Sequence, residues 1–236
     1  MTPTRARADH ATRSPYAVVA VISAVLVTAM ALLIAASGRG PDGQSVDAGF
    51  SRDMSEHHAQ AVDMSLIVLQ ASDSRDIDVV AYDIATTQSN QIGRMQGWLV
   101  DWNLPQARSE DRMAWMPDGS MSVSADGMDG MDDASTAAPG TPGYRAMPGM
   151  ASLAEMAELR SADPAQAEIL YLQLMITHHL AGVAMAQAAV DHAEDPQVRD
   201  LAQAMVNGQR SEIRLMADLL ATRDASPRED LRAVGY

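Results

Sequence analysis

Cysteine and lysine are absent from this 236-residue chain, and phenylalanine occurs once. Without cysteine there is no disulfide, no thiolate nucleophile, no cysteine-ligated zinc and no lipid-attachment cysteine. Any soft-metal chemistry therefore falls to imidazole nitrogen and thioether sulfur. Without lysine, all 17 basic residues are arginine; they face 31 acids, for a formal charge of −14. Almost all the acids follow residue 41. Nucleic-acid binding needs a basic surface to neutralise phosphate, so this charge balance argues against a nucleic-acid partner and favours cations. No segment shows the alternating β-branched pattern of a strand.

What the chain does have begins with a membrane-length apolar run. Residues 17–36, AVVAVISAVLVTAMALLIAA, carry no charge and suffice to cross a bilayer as a helix. Arg5, Arg7 and Arg13 precede the run, so residues 1–16 read as a cytoplasmic tail and everything after Ser37 as extracytoplasmic. The apolar regions of cleaved signal peptides are shorter, roughly 7 to 15 residues, which favours a retained single-pass anchor over cleavage near Ala35-Ala36-Ser37. Residues 37–46 read as a linker.

The remainder is an internal repeat. A shift of 121 residues aligns His57 and His58 with His178 and His179, Met54 with Met175, Met64 with Met185, Gln88 with Gln209, Ile92 with Ile213, Met95 with Met216 and Leu99 with Leu220. A constant offset over more than forty positions reads as a duplicated two-helix unit. Phe50, Met54, His57, Ala61, Met64 and Val68 form one stripe of helical period; Ile77, Val80, Ala81, Ile84, Gln88, Ile92, Met95 and Leu99 form its partner. Asp163-Pro164 and Asp195-Pro196 each place a capping acid before a proline suited to the first helical position, and Asn103-Leu104-Pro105 stops a helix. The expectation is an all-α, four-helix bundle built from hairpins over 47–104 and 151–222, with a C-terminal tail over 223–236. Ser152 to Glu155 has the form of a capping box. The connection over 105–150, rich in Gly, Pro, Ser, Asp and Met, reads as a mobile linker.

Four of the six histidines stand in the two pairs, within MSEHHAQAVDM and MITHHLAGVAM. On a helix Met54, His57 and Met64 share a face, with His58 rotated about 100°. Two such hairpins packed about a pseudo-twofold bring His57, His58, His178, His179 and the thioethers of Met54, Met64, Met175 and Met185 within reach of one or two ions. Copper, as Cu(I) or Cu(II), suits that donor set best, with zinc or iron as alternatives. Methionine at this spacing is equally a core filler. Asp53, Gln88, Gln209 and Glu212 are candidate hydrogen-bond partners behind the imidazoles. In the linker, Met113, Met116, Met121, Met128, Met131, Met147 and Met150 lie among aspartates and form a candidate auxiliary Cu(I) collector.

The doubled His-His repeat, the downstream elements QSNQIGRM and QRSEIRLM, and MPGM followed by LAEMAEL resemble the bacterial domain-of-unknown-function 305 family over about residues 47–222. The resemblance implies a ferritin-like extracytoplasmic bundle, with copper binding or copper tolerance suggested for some relatives and no enzymatic activity established for the family at large. Relatives often carry proline before the first His of each pair, where Glu56 and Thr177 stand here. The repeats also differ at Asp63 and Ala184.

Three functions follow. The first is an anchored protein that binds or buffers copper. The second, a di-iron oxidase, usually requires Glu-x-x-His pairs, and Met54 and Met175 occupy the positions those glutamates would take. The third is an interaction module docking on a membrane complex or on a second copy of itself.

Overall fold

The computed structural model describes residues 15–37, 40–107, 111–116, 147–232 and 234–236. Among them are six helices and no strand. The chain divides into two compact units, residues 1–40 and 41–236. The first is α1 (Pro15–Ser37), whose side chains from Val19 to Met30 are exposed.

The second unit contains α2 (Val46–Ala71), α3 (Arg75–Asp101), α4 (Leu153–Ser161), α5 (Pro164–His192) and α6 (Pro196–Ala221). Three residues separate α2 from α3 and three separate α5 from α6. Each pair packs as a hairpin, and the hairpins meet through α2 and α5, with α4 against both. Helix α5 also has the length and composition of a membrane span, yet it is the most buried helix of this unit. Its apolarity serves a core.

The helix ends follow the sequence signals. Ser45 caps α2 by accepting from Ala48 N–H, and Asp163 and Asp195 cap α5 and α6 with proline next in line. Ser152 and Glu155 form the full capping box at α4. At the end of α3, Asn103 takes a left-handed φ of 56° and Leu104 N–H returns to Leu99 O at 2.8 Å, closing the last turn before Pro105.

The core follows the helical stripes: Phe50, Met54 and Met64 from α2, Ile77, Ile84 and Met95 from α3, Leu172, Met175 and Ile176 from α5, and Ile213 and Met216 from α6 are all fully buried. With so few aromatics, methionine fills volume that phenylalanine would otherwise occupy. Tyr171 lies in this core and shares a hydrogen bond of 3.0 Å with the Ser65 hydroxyl.

The described residues at both ends of the 105–150 connection are docked on the helices. Met113 and Met116 are buried, and Trp115 packs edge-on against Phe50 at 5.8 Å between centroids. A Cβ on Gly49 would stand 2.5 Å from the Trp115 ring, which explains a glycine inside α2. At the other end Met147 is buried, Gly149 takes a φ of +73°, and Gln60 exchanges two hydrogen bonds with the backbone of Ala151 at 2.7 and 2.9 Å. The described residues of the C-terminal tail over 223–236 also contact the helices. Ser226 O accepts from Gln173, Glu229 accepts from the Thr177 hydroxyl, and Ala225, Leu231 and Tyr236 pack against the core.

Candidate metal centre

The duplication brings the two histidine pairs together at the α2–α5 contact. All four rings are buried, His178 at 1% exposure and the others at 0%. The first histidine of each pair lies between the hairpins: His57 and His178 stack with centroids 3.7 Å apart and planes at 30°, and His178 Nε2 donates to His57 O at 3.0 Å. The second histidine, turned about 100° round its helix, faces the partner helix of its own hairpin. His58 Nε2 donates to Gln91 Oε1 on α3 at 2.7 Å, and His179 Nε2 to Glu212 Oε2 on α6 at 2.8 Å.

The pseudo-twofold breaks at His57. Its Nε2 donates to Pro148 O at 3.3 Å, because the Met147–Met150 turn covers the stacked pair. That turn fits only as glycine at 149, where a Cβ would stand 2.5 Å from the Ala181 Cβ and 2.7 Å from Thr177 O.

All four Nε2 partners are oxygens that only accept, so every ring carries a proton on Nε2. On His57, His58 and His179 the Nδ1 is buried with no hydrogen-bond partner. Burial, then the neighbouring His58 imidazole, pushes His57 down to about 3. Burial first, with His179 adding, brings His58 down to about 4 despite the Gln91 hydrogen bond. His178 is held well below the usual imidazole range by burial and by the three other rings. Burial would raise Glu212, but the His179 hydrogen bond and the facing imidazoles hold it below the usual carboxylate range.

Neutral imidazole with Nε2–H on oxygen and a bare Nδ1 is the ligating form, and the Nε2–H···O contact is the usual outer support of a metal-bound histidine. In donor chemistry the site fits a soft or borderline ion. The disposition sets a limit: among the described residues no three His, Asp or Glu side chains are placed to hold one ion. Stacked rings direct their in-plane lone pairs side by side, so an ion shared by His57 and His178 requires one ring to turn out of the stack.

The remaining expected residues divide. Met54, Met64, Met175 and Met185 are buried core residues on the same helices as the histidines. Asp53 Oδ2 accepts from Met113 N–H at 2.7 Å and from the Trp115 indole at 2.9 Å, so it anchors the 111–116 segment. Gln88 and Gln209 are buried with unpartnered Oε1 atoms, and Gln209 Oε1 lies 2.4 Å from where a Cβ on Gly182 would be. In the connection, Met113, Met116 and Met147 are buried and Met150 is partly so, while Met121, Met128 and Met131 lie outside the described residues. The sequence reading passed over Gln91, although the 121-residue offset from Glu212 points to it, and over Pro148, whose carbonyl contact has no side-chain signature.

The family model for the domain of unknown function DUF305 matches residues 47–220, and the chain belongs to that family. A DUF305 protein from Streptomyces coelicolor, described as secreted, is 44% identical, with 80% of this chain and 100% of that one covered at a TM-score of 0.67. A DUF305 fragment from Deinococcus radiodurans is 32% identical, with 75% and 96% covered at a TM-score of 0.57. CopM in its Cu(I)-bound form shares the fold at 20% identity, with 75% and 96% covered at a TM-score of 0.52; CopM structures with Cu(II) and silver match similarly. No curated protein matches the chain.

Proposed function

We propose that this protein binds and buffers copper outside the cytoplasm, held to the membrane by α1, and that it is a binding protein with no catalytic role. In this reading the two hairpins form a ferritin-like four-helix bundle whose interior takes up the ion. The observation that carries the proposal is the set of buried, unpartnered Nδ1 atoms on His57, His58 and His179, each ring backed through Nε2–H by an oxygen. Met54, Met64, Met175 and Met185 supply thioethers that favour the reduced ion. Three further facts support it: the acidic surface attracts cations, a similarly folded protein is known in copper- and silver-bound forms, and a relative is described as secreted.

The test titrates the full chain in detergent with Cu(I), Cu(II) and Zn(II), beside a variant with all four paired histidines changed to alanine and one with Met54, Met64, Met175 and Met185 changed to leucine. Copper should bind tighter than micromolar, the histidine variant should lose at least a hundredfold, and the methionine variant should lose Cu(I) selectively. Copper binding that survives loss of all four imidazoles would overturn the proposal. Membrane retention of the chain after high-salt washing, lost on deleting residues 17–36, tests the anchor.

A further inference from the structure

We infer that the carboxylate of Glu212, standing where the other repeat has the amide of Gln91, biases the buried histidine cluster toward a divalent ion over a monovalent one. The inference rests on the metal-binding reading above.

The two positions stand 121 residues apart, the offset of the whole duplication. They do the same geometric work: Gln91 accepts from His58 Nε2 at 2.7 Å and Glu212 from His179 Nε2 at 2.8 Å. Both histidine side chains are fully buried, and the glutamines one turn earlier, Gln88 and Gln209, are the same residue in both repeats. What differs is one full negative charge, at a side chain only 20% exposed. Behind a ligating imidazole a carboxylate makes the ring a stronger donor, and its attraction for the ion scales with the ion's charge. An amide oxygen fixes the ring equally well and adds no net charge. Glu212 is therefore a positioning residue that also sets which oxidation state the histidine cluster prefers.

The full chain in detergent is titrated with Cu(II) and, as a redox-inert monovalent probe, Ag(I), each against a chelating competitor. Glu212→Gln should weaken Cu(II) about tenfold, the lower end of what outer partners of metal ligands contribute, and leave Ag(I) within about threefold. Gln91→Glu should move Cu(II) the other way, and Glu212→Asp should retain the wild-type preference. A tenfold change in the Cu(II)-to-Cu(I) affinity ratio corresponds to about 59 mV, so Glu212→Gln should raise the potential of the bound ion by that amount. Equal loss of both ions in Glu212→Gln would mean that Glu212 only holds the helix, and an unchanged ratio would remove its role; either overturns this inference and leaves the parent reading standing. Failure of the wild type to bind either ion overturns both.

Discussion

Phe50 on α2 and Tyr171 on α5 stand at equivalent positions of the two repeats, and both are fully buried. Tyr171 carries a hydroxyl that meets Ser65, whereas the residue equivalent to Ser65 in the second repeat is Ala186, so the corresponding pair is apolar. The same divergence occurs at Gln91 and Glu212, and at the first histidines, where His178 donates to the facing helix backbone and His57 to the Met147–Met150 turn. Duplicated packing is kept: at Tyr171 and Ser65 the polar group and its partner change together, and at the histidines one oxygen acceptor is exchanged for another so that the ring N–H stays bonded. A buried polar group without its partner costs more than an apolar pair of the same shape, so matched changes are tolerated and single changes are not.

The largest effect should come from pH, and it tests what the repeats share. His57 and His58 in one repeat and His178 in the other are held far below the ordinary imidazole value, by burial before any other cause. The unfolded chain protonates these groups near 6.5 and so binds more protons than the native state below that pH. Their contribution is fully present above about pH 6.5 and is lost as pH falls toward 4, at roughly 1 kcal/mol per pH unit for each group. Thermal midpoints of metal-free protein between pH 8 and 4 should show a plateau and then a steep fall; a flat profile would contradict the buried, uncharged state.

Next come two glycines that lie against side chains of very different stiffness. Gly149→Ala places a Cβ against the Ala181 Cβ and the Thr177 carbonyl at a φ of +73°, where backbone cannot give way. It should cost about 2 to 3 kcal/mol in chemical denaturation, from left-handed strain plus steric displacement. Removing the Tyr171 hydroxyl has a smaller effect. Tyr171→Phe leaves Ser65 alone in the core at a cost of about 1 kcal/mol, and adding Ser65→Ala should restore most of it by copying the first repeat's apolar pair. A double variant no more stable than Tyr171→Phe would break the matched-pair rule. Smallest is Gly182→Ala, which meets the flexible end of Gln209 and gains helix propensity of up to about 1 kcal/mol, for a net change near zero.

Much of this was legible from residue order. Helical period located α2, α3, α5 and α6, capping residues set the starts of α5 and α6, and the 121-residue offset predicted that the histidine pairs would meet. Period and offset are local or self-referential signals and survive without coordinates. The docking of the connection was not legible, because it depends on backbone groups such as the Pro148 carbonyl and on glycines whose role shows only when another element presses on them. Asp53 illustrates the same limit: its place on the helix put it behind His57, while its contacts with Met113 and Trp115 depend on where a distant segment lies.

Asp53 and Gln60, seven positions apart on α2, receive the two ends of the connection between the repeats. The chain that leaves at Met116 therefore returns to the same helix about 10 Å along its axis. Doubling the length of a loop between two fixed points costs only about 0.6 kcal/mol, so the position of these two anchors on α2 matters more to chain closure than the number of residues between them.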